Sequence, residues 1–265
     1  MTEPIATTAG SEGPDWSVRA PAWAELWARL ADPAREVVAR ATMIGAGTTV
    51  LDVGCGSGEF CRLAAARGAT VSGIDAAEGM IDIARRRVPA GDLRVGPMER
   101  LPWDDGRFDV VTAFNALQFA ADFATALAEV TRVVRRGGLV AICNWARPQD
   151  CELGAVSGPL HALLPGSDPD PSGPVPPAVG QPGVLEDLAR AAGLRPREAG
   201  EVDVPYQVPD QATLERAFLV DAGLLGASER VETARRTIVD AAAPFRRADG
   251  SYRFENRVLY LVAAA

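Results

Sequence analysis

The chain has 265 residues, 48% hydrophobic and 23% charged, an ordinary globular composition with room for one α/β domain and a modest cap. Its net charge of −8 argues against binding nucleic-acid phosphates or anionic membranes, and leaves a small molecule as the expected partner. All 27 basic residues are arginine and the one histidine is His161, which excludes a lysine base, Schiff-base chemistry and a multi-histidine metal site.

Residues 1–14 are small and polar, lack the basic-then-apolar pattern of a signal peptide, and read as a disordered leader of a cytoplasmic protein. No apolar run approaches the roughly 20 residues of a membrane span. Residues 15–265 read as a single domain that opens with N-terminal helices over 15–45, where Trp23, Leu26, Trp27 and Leu30 recur at helical spacing. Strands over 48–53, 69–74, 92–95, 108–114 and 139–145 then alternate with helices over 58–67, 79–88 and 123–134. A double glycine, Gly137-Gly138, is expected to turn the last of these helices into its strand. Such alternation implies an α/β, doubly wound parallel sheet with helices on both faces and ligands at the carboxyl ends of the strands. Residues 147–182, rich in Pro, Gly, Asp and Ser, are expected to form a mobile or irregular lid. A helix over 183–192, a strand over 193–206, a helical cap insertion over 209–247 and a closing strand over 252–263 complete the reading.

The most pointed segment is Val50-Leu51-Asp52-Val53-Gly54-Cys55-Gly56-Ser57-Gly58-Glu59-Phe60. A strand ends in an acid, meets three glycines at alternate positions, and opens a helix. Glycine lets the turn bend sharply and lets a ligand lie against its backbone, while the helix start points free N–H groups at it. A dinucleotide fingerprint asks for glycine where Glu59 stands, and carboxylates at Asp52 and Glu59 repel a pyrophosphate. An amine-bearing ligand suits them better; a NAD-type loop and a plain structural turn are the competing readings.

The segment resembles motif I of the class I S-adenosylmethionine (SAM)-dependent methyltransferases. The resemblance is to the small-molecule, ubiquinone/menaquinone-biosynthesis-like branch (methyltransferase type 11). It covers about 16–145 well and the second half in outline. It implies a Rossmann-like, seven-stranded sheet, mostly parallel with an antiparallel C-terminal strand. It also implies SAM as cofactor and S-adenosylhomocysteine as product. Asp75, ending the second strand, then takes the ribose hydroxyls, the alternative being a helix N-cap. Asp52 stands near the methionyl ammonium, through water or by orienting the loop, and Gly54, Cys55, Gly56 and Gly58 form the cradle. Ile74, Ala76, Met80, Met98 and Glu99 surround the adenine. Pro97 stands where relatives commonly place an adenine-binding Asp, so Glu99 or a backbone carbonyl takes that contact.

Asn115 and Gln118 face the methionyl tail and the acceptor, although the Asn-Pro-Pro-Tyr-like motif of nucleic-acid and protein N-methylating groups is absent. His161 is the candidate catalytic group, as the one side chain that titrates near neutrality when unperturbed; an exposed lid histidine is the alternative. Trp16, Trp23, Trp103, Trp145 and Tyr206 are candidates for an aromatic acceptor pocket, with core packing as the competing explanation. Cys55, Cys61, Cys143 and Cys151 form no paired framework and are expected to be reduced. The implied function is transfer of a methyl group to O, N or C of a small hydrophobic or aromatic metabolite, in bacterial secondary metabolism. Alignment supplies most of the catalysis. The alternatives are non-methylating use of the cofactor in a cyclisation or decarboxylation, and a regulatory pseudoenzyme.

Overall fold

Two helices, α1 (Gly13–Leu26) and the amphipathic α2 (Asp32–Ala41), lead into the first strand of a computed structural model that describes residues 13–164, 177–224 and 229–265. The expected disordered leader falls on residues 1–12, outside the described residues, except that Gly13 and Pro14 already belong to α1. β1 (Thr49–Val53), α3 (Glu59–Ala66), β2 (Thr70–Asp75), α4 (Glu78–Arg87), β3 (Asp92–Val95) and β4 (Phe108–Phe114) follow in strict alternation save between the last two strands. The strands are short β-branched and aliphatic runs buried on both faces, the pattern a helix-covered parallel sheet demands. α5 (Phe123–Val133) then leads into β5 (Val134–Trp145), and α6 (Gly154–His161) and α7 (Val184–Ala191) precede β6 (Arg195–Asp203). β7 (Tyr206–Val208), α8 (Gln211–Asp221), α9 (Glu229–Ala242), β8 (Tyr252–Phe254) and β9 (Arg257–Ala264) complete the chain.

The main sheet has the order β3-β2-β1-β4-β5-β9-β6. β1 to β5 pair in parallel, and β9 runs antiparallel between β5 and β6. This is the expected seven-stranded Rossmann-like architecture. Its two faces carry separate apolar cores, one around Val53, Val111 and Leu127, the other around Val50, Phe60 and Ile81.

Three local expectations are corrected. The double glycine does not end a helix; it lies inside β5. Phe108 opposes Val134 while Val110 opposes Leu139, so 135–138 bulge out of the ladder, with Gly137 at φ +75. The C-terminal strand over 252–263 is two strands, and the strand over 193–206 stops at Asp203. β7 and β8 pair with each other in a separate two-stranded ribbon. The break between β8 and β9 is held by Asn256, whose Nδ2 donates to the Phe254 carbonyl and whose Oδ1 accepts from the Leu153 N–H.

The segment 147–182 is not irregular throughout. It contains a 3-10 turn at Pro148–Asp150 and the helix α6, while 165–176 lie outside the described residues. Leu153, Val156 and Leu160 form a helical apolar stripe between the glycines and prolines, and that stripe is buried. It joins a third core with α8, α9, the β7–β8 ribbon and Trp27. Trp27 stacks on Tyr206 with ring centres 4.4 Å apart and planes 3° apart, and donates from Nε1 to the Ala217 carbonyl at 2.9 Å. This third layer stands over the carboxyl ends of β1, β4 and β5, and encloses the site.

Candidate functional site

The glycine turn leaving β1 is shaped by contacts that exclude side chains. Gly54 has φ +68, and a Cβ there would lie 2.3 Å from the Ala116 Cβ, so only glycine lets the loop after β4 approach. Gly56 has φ +52, and a Cβ there would just touch the Trp23 ring of α1 at 3.9 Å. The turn is fastened to β2: the Gly54 and Cys55 N–H groups donate to the Ile74 carbonyl at 2.8 and 3.0 Å. From below, Ser57 Oγ donates to Glu59 Oε1 at 2.6 Å, and Arg87 of α4 donates to Ser57 and Glu59 together. Glu59 is therefore spent on holding the loop, away from any ligand.

A cavity of about 620 Å³ opens over this turn. Gly54, Gly56, Asp75, Ala76, Met80, Met98, Asn115, Gln118 and His161, all expected at the site, line it. Ile74 and Gly96 line it as well. Four other expected residues lie behind the wall. Cys55 and Gly58 are buried within the turn, where Gly58 at φ +86 packs against Ala84. Glu99 accepts from the Ala121 N–H at 2.8 Å. Asp52, 3% exposed, accepts from Thr112 Oγ1 at 2.7 Å. Burial pushes the Asp52 carboxyl up to about 7, against the opposing pull of the Thr112 hydroxyl and the Arg35 charge.

Asp75 ends β2 with both carboxylate oxygens in use. Oδ2 accepts from the Gly56 N–H at 2.8 Å, and Oδ1 from the Ala77 N–H at 2.9 Å. The turn-capping contact and a position on the cavity wall thus coexist in one side chain. Each oxygen retains a lone pair for a hydroxyl of a ligand. Burial raises its pKa, and the two backbone donors lower it.

The opposite wall holds residues that the sequence does not mark out. Arg35 of α2 is 8% exposed, and its Nη1 donates to the Ala28 carbonyl at 2.6 Å and to Asp32 Oδ1 at 2.9 Å. Its Nε has no partner. Asn115 lines the same cavity and its buried Oδ1 has none either; these two are the unpartnered buried side-chain polar atoms among the described residues. Asn115 further holds φ +49, a left-handed conformation that asparagine tolerates better than most residues. One orphan donor and one orphan acceptor in one cavity call for a ligand that bears both an anion and a donor.

Trp16, Trp23 and Trp145 also line the cavity, together with Trp27, Phe114 and Phe119, and Trp16 and Trp23 pack against Ala77 and Met80. Trp16 meets Trp23 and Phe119 edge-on at 6.2 and 5.9 Å. Two aromatic candidates are misplaced. Trp103 packs on Phe108 and donates to Asp92 on the outer side of the sheet, and Tyr206 is sealed in the third core with its hydroxyl on the Leu26 carbonyl. Arg19, Asp221, Cys151 and Ser157 add polarity to the lining. All four cysteines are free thiols.

A family profile described as a methyltransferase domain matches residues 51–142. The malonyl-(acyl-carrier protein) O-methyltransferase of Serratia marcescens is 38% identical over 125 residues, 45% of this chain and 49% of that protein. The ubiquinone biosynthesis O-methyltransferase of Thiobacillus denitrificans is 36% identical over 161 residues, 58% of this chain and 67% of that protein. Among solved structures, the (4+2)-cyclase SpnF shares the fold with a TM-score of 0.65 at 19% identity, over 98% of this chain and 97% of its own. The chain spans about half the length of the first curated relatives it matches. Motif, topology and relatives agree: the chain belongs to the class I SAM-dependent methyltransferases, in the small-molecule, type 11 branch.

Proposed function

We propose that this protein binds SAM in the cavity over the β1 turn and methylates a small, apolar, ring-containing acceptor. The observation that carries this reading is the pair of orphaned atoms, Arg35 Nε and Asn115 Oδ1, in the cavity that also holds Asp75 and the glycine turn. An α-amino carboxylate supplies the missing acceptor to the guanidinium and the missing donor to the amide. Asp75 takes the ribose diol, and Ile74, Met80 and Met98 cover the adenine. Cys55, Gly58, Asp52 and Glu99 act from behind the wall by holding these groups in place.

When bound, SAM supplies an electrophilic methyl group on a positively charged sulfur. The protein aligns and encloses. Trp16, Trp23 and Trp145 bury the acceptor and exclude water, and alignment of this kind contributes on the order of 7–11 kcal/mol. The Asp75 carboxylate beside the turn favours a cationic ligand over a phosphate. The O-methyltransferases among the relatives support an oxygen acceptor. We further read 15–265 as one domain with 209–247 as its cap, acting in the cytoplasm and in secondary metabolism. Among the described residues no helix is long and apolar enough to cross a membrane.

The test is calorimetric titration with SAM and S-adenosylhomocysteine, followed by mass-spectrometric detection of S-adenosylhomocysteine in the presence of hydroxylated aromatic acceptors. Absence of cofactor binding refutes the reading. A second reading, cofactor use without methylation, is favoured by the near-complete coverage of the SpnF cyclase. Conversion of the acceptor without release of S-adenosylhomocysteine would select it.

A further inference from the structure

Asp221 is the last residue of α8, half-buried, and it lines the cavity. A negative side chain there stands at the negative end of the helix dipole, and burial strips part of its hydration, so the fold gains nothing from its charge. Among the described residues no donor reaches the carboxylate by a hydrogen bond, and no cationic side chain forms an ion pair with it within 4.0 Å. Arg19 of α1 is the natural partner, and its contacts go elsewhere. Its Nη1 donates to the Asp221 main-chain carbonyl at 2.8 Å and so caps the end of α8. Its Nε donates to the Asp15 carbonyl at 3.2 Å, and its guanidinium lies 4.3 Å from the Trp16 ring centre. Arg19 thus serves main chain and an aromatic face, and the carboxylate stays unpaired. Burial raises the Asp221 carboxyl above its ordinary value, while the His161 and Arg19 charges draw it back down, as suits an acid with no bonded partner.

We propose that the acceptor carries a protonated amine on its ring framework and that Asp221 is the specificity-determining residue that binds it. This rests on the methyltransferase reading of the cavity. The polar parts of the cofactor have their partners in that reading: Arg35 for the carboxylate, Asn115 for the ammonium and Asp75 for the ribose diol. Asp221 is then left for the second ligand.

The composition of the cavity selects the charge of that ligand. An unpaired carboxylate in a chamber lined by Trp16, Trp23 and Trp145 favours a cation twice, by direct attraction and through the electron-rich ring faces. An acidic acceptor would be repelled, and a neutral hydroxyl would leave the buried negative charge uncompensated. The amine acts as a handle. As a cation it has no free electron pair, so the methyl group goes to another atom of the same acceptor, in keeping with the O-methyltransferases among the relatives.

The experiment titrates tyramine and tyrosol by calorimetry into the full chain saturated with S-adenosylhomocysteine. The two probes share a phenol and a short tail and differ in the group at its end, ammonium against hydroxyl. The wild type is expected to prefer tyramine, and Asp221→Asn to reduce that preference about 10- to 100-fold with tyrosol affinity unchanged. Asp221→Asn keeps the carbonyl that holds Arg19, so the α1–α8 bridge survives. A readout independent of the probes is the Tm of the ligand-free chain, expected to rise by about 1–4 °C once the unpaired charge at the helix end is gone. Equal affinity for the two probes in the wild type, binding of neither, or a preference retained in the variant overturns this inference alone. A lowered Tm in the variant also overturns it, by making the carboxylate a partner in the fold. Weakened binding of SAM or S-adenosylhomocysteine in the variant does the same, by giving the carboxylate to the cofactor. Failure of S-adenosylhomocysteine to bind the wild type overturns the cofactor reading and this inference with it.

Discussion

Replacing Arg35 by methionine separates the amino-acid end of the cofactor from the rest. The side chain is almost fully buried and already gives two hydrogen bonds to the protein, leaving Nε as a buried donor without a partner in a residue that lines the cavity. A charge-assisted bond to a carboxylate contributes about 1.5–3 kcal/mol, or about 10- to 150-fold in affinity. The variant also loses the bonds to Ala28 and Asp32, so a general weakening of the fold is expected alongside. The comparison that removes this ambiguity uses two ligands, S-adenosylhomocysteine and 5′-methylthioadenosine, which share the nucleoside and sulfur but differ in the amino-acid group. Calorimetry should show the preference for S-adenosylhomocysteine falling by the full factor in Arg35→Met, with methylthioadenosine little affected. If both ligands weaken equally, Arg35 is a scaffold residue and its orphan nitrogen has no carboxylate partner.

Further predictions follow from the same geometry. Asp75→Ala should abolish binding of both ligands, since it removes the ribose acceptors and the anchor of the Gly56 and Ala77 N–H groups together; unchanged affinity would displace the nucleoside from this wall. Gly54→Ala forces a Cβ to 2.3 Å from Ala116 at a positive φ, and should cost about 1–3 kcal/mol in thermal or urea denaturation. Asp52 binds its proton more tightly in the folded state, at about 7 against an ordinary value of 3.8. Its contribution is complete below the unfolded value and is lost as pH rises from about 4 to 7. Asp52→Asn, which keeps an acceptor for Thr112, should therefore flatten the fall in Tm across that window and raise stability at pH 8; a parallel slope in the variant would refute the assignment.

The parts of the site that could be read in advance lie in contiguous chain. The β1 turn encodes its own geometry, because alternate glycines, a preceding β-branched run and a following helix are local properties, and Asp75 is read the same way from the end of its strand. Arg35 carries no such signal. It sits on an amphipathic helix whose charged residues resemble surface groups, and only the packing of α2 against β6 and β9 turns it inward. Trp103 and Tyr206 show the converse: an aromatic residue announces burial, and its sequence does not say which side of the sheet it will meet. The double glycine was read as a helix terminator because local turn chemistry is identical in a bulge, and only the partner strand distinguishes them.

From the chain alone came the strand–helix alternation, the glycine turn proposed to receive the cofactor, and the exclusion of lysine chemistry and of a multi-histidine metal site, all set by residue type and short-range periodicity. The tertiary structure decided which side chains share the cavity. It brought Arg35 and Asn115 to the lining of one cavity, and it set α6 against α8 and α9 through a buried apolar stripe. Such long-range placement follows from burying several apolar faces at once, a constraint that acts on the whole chain and leaves no mark at any single position.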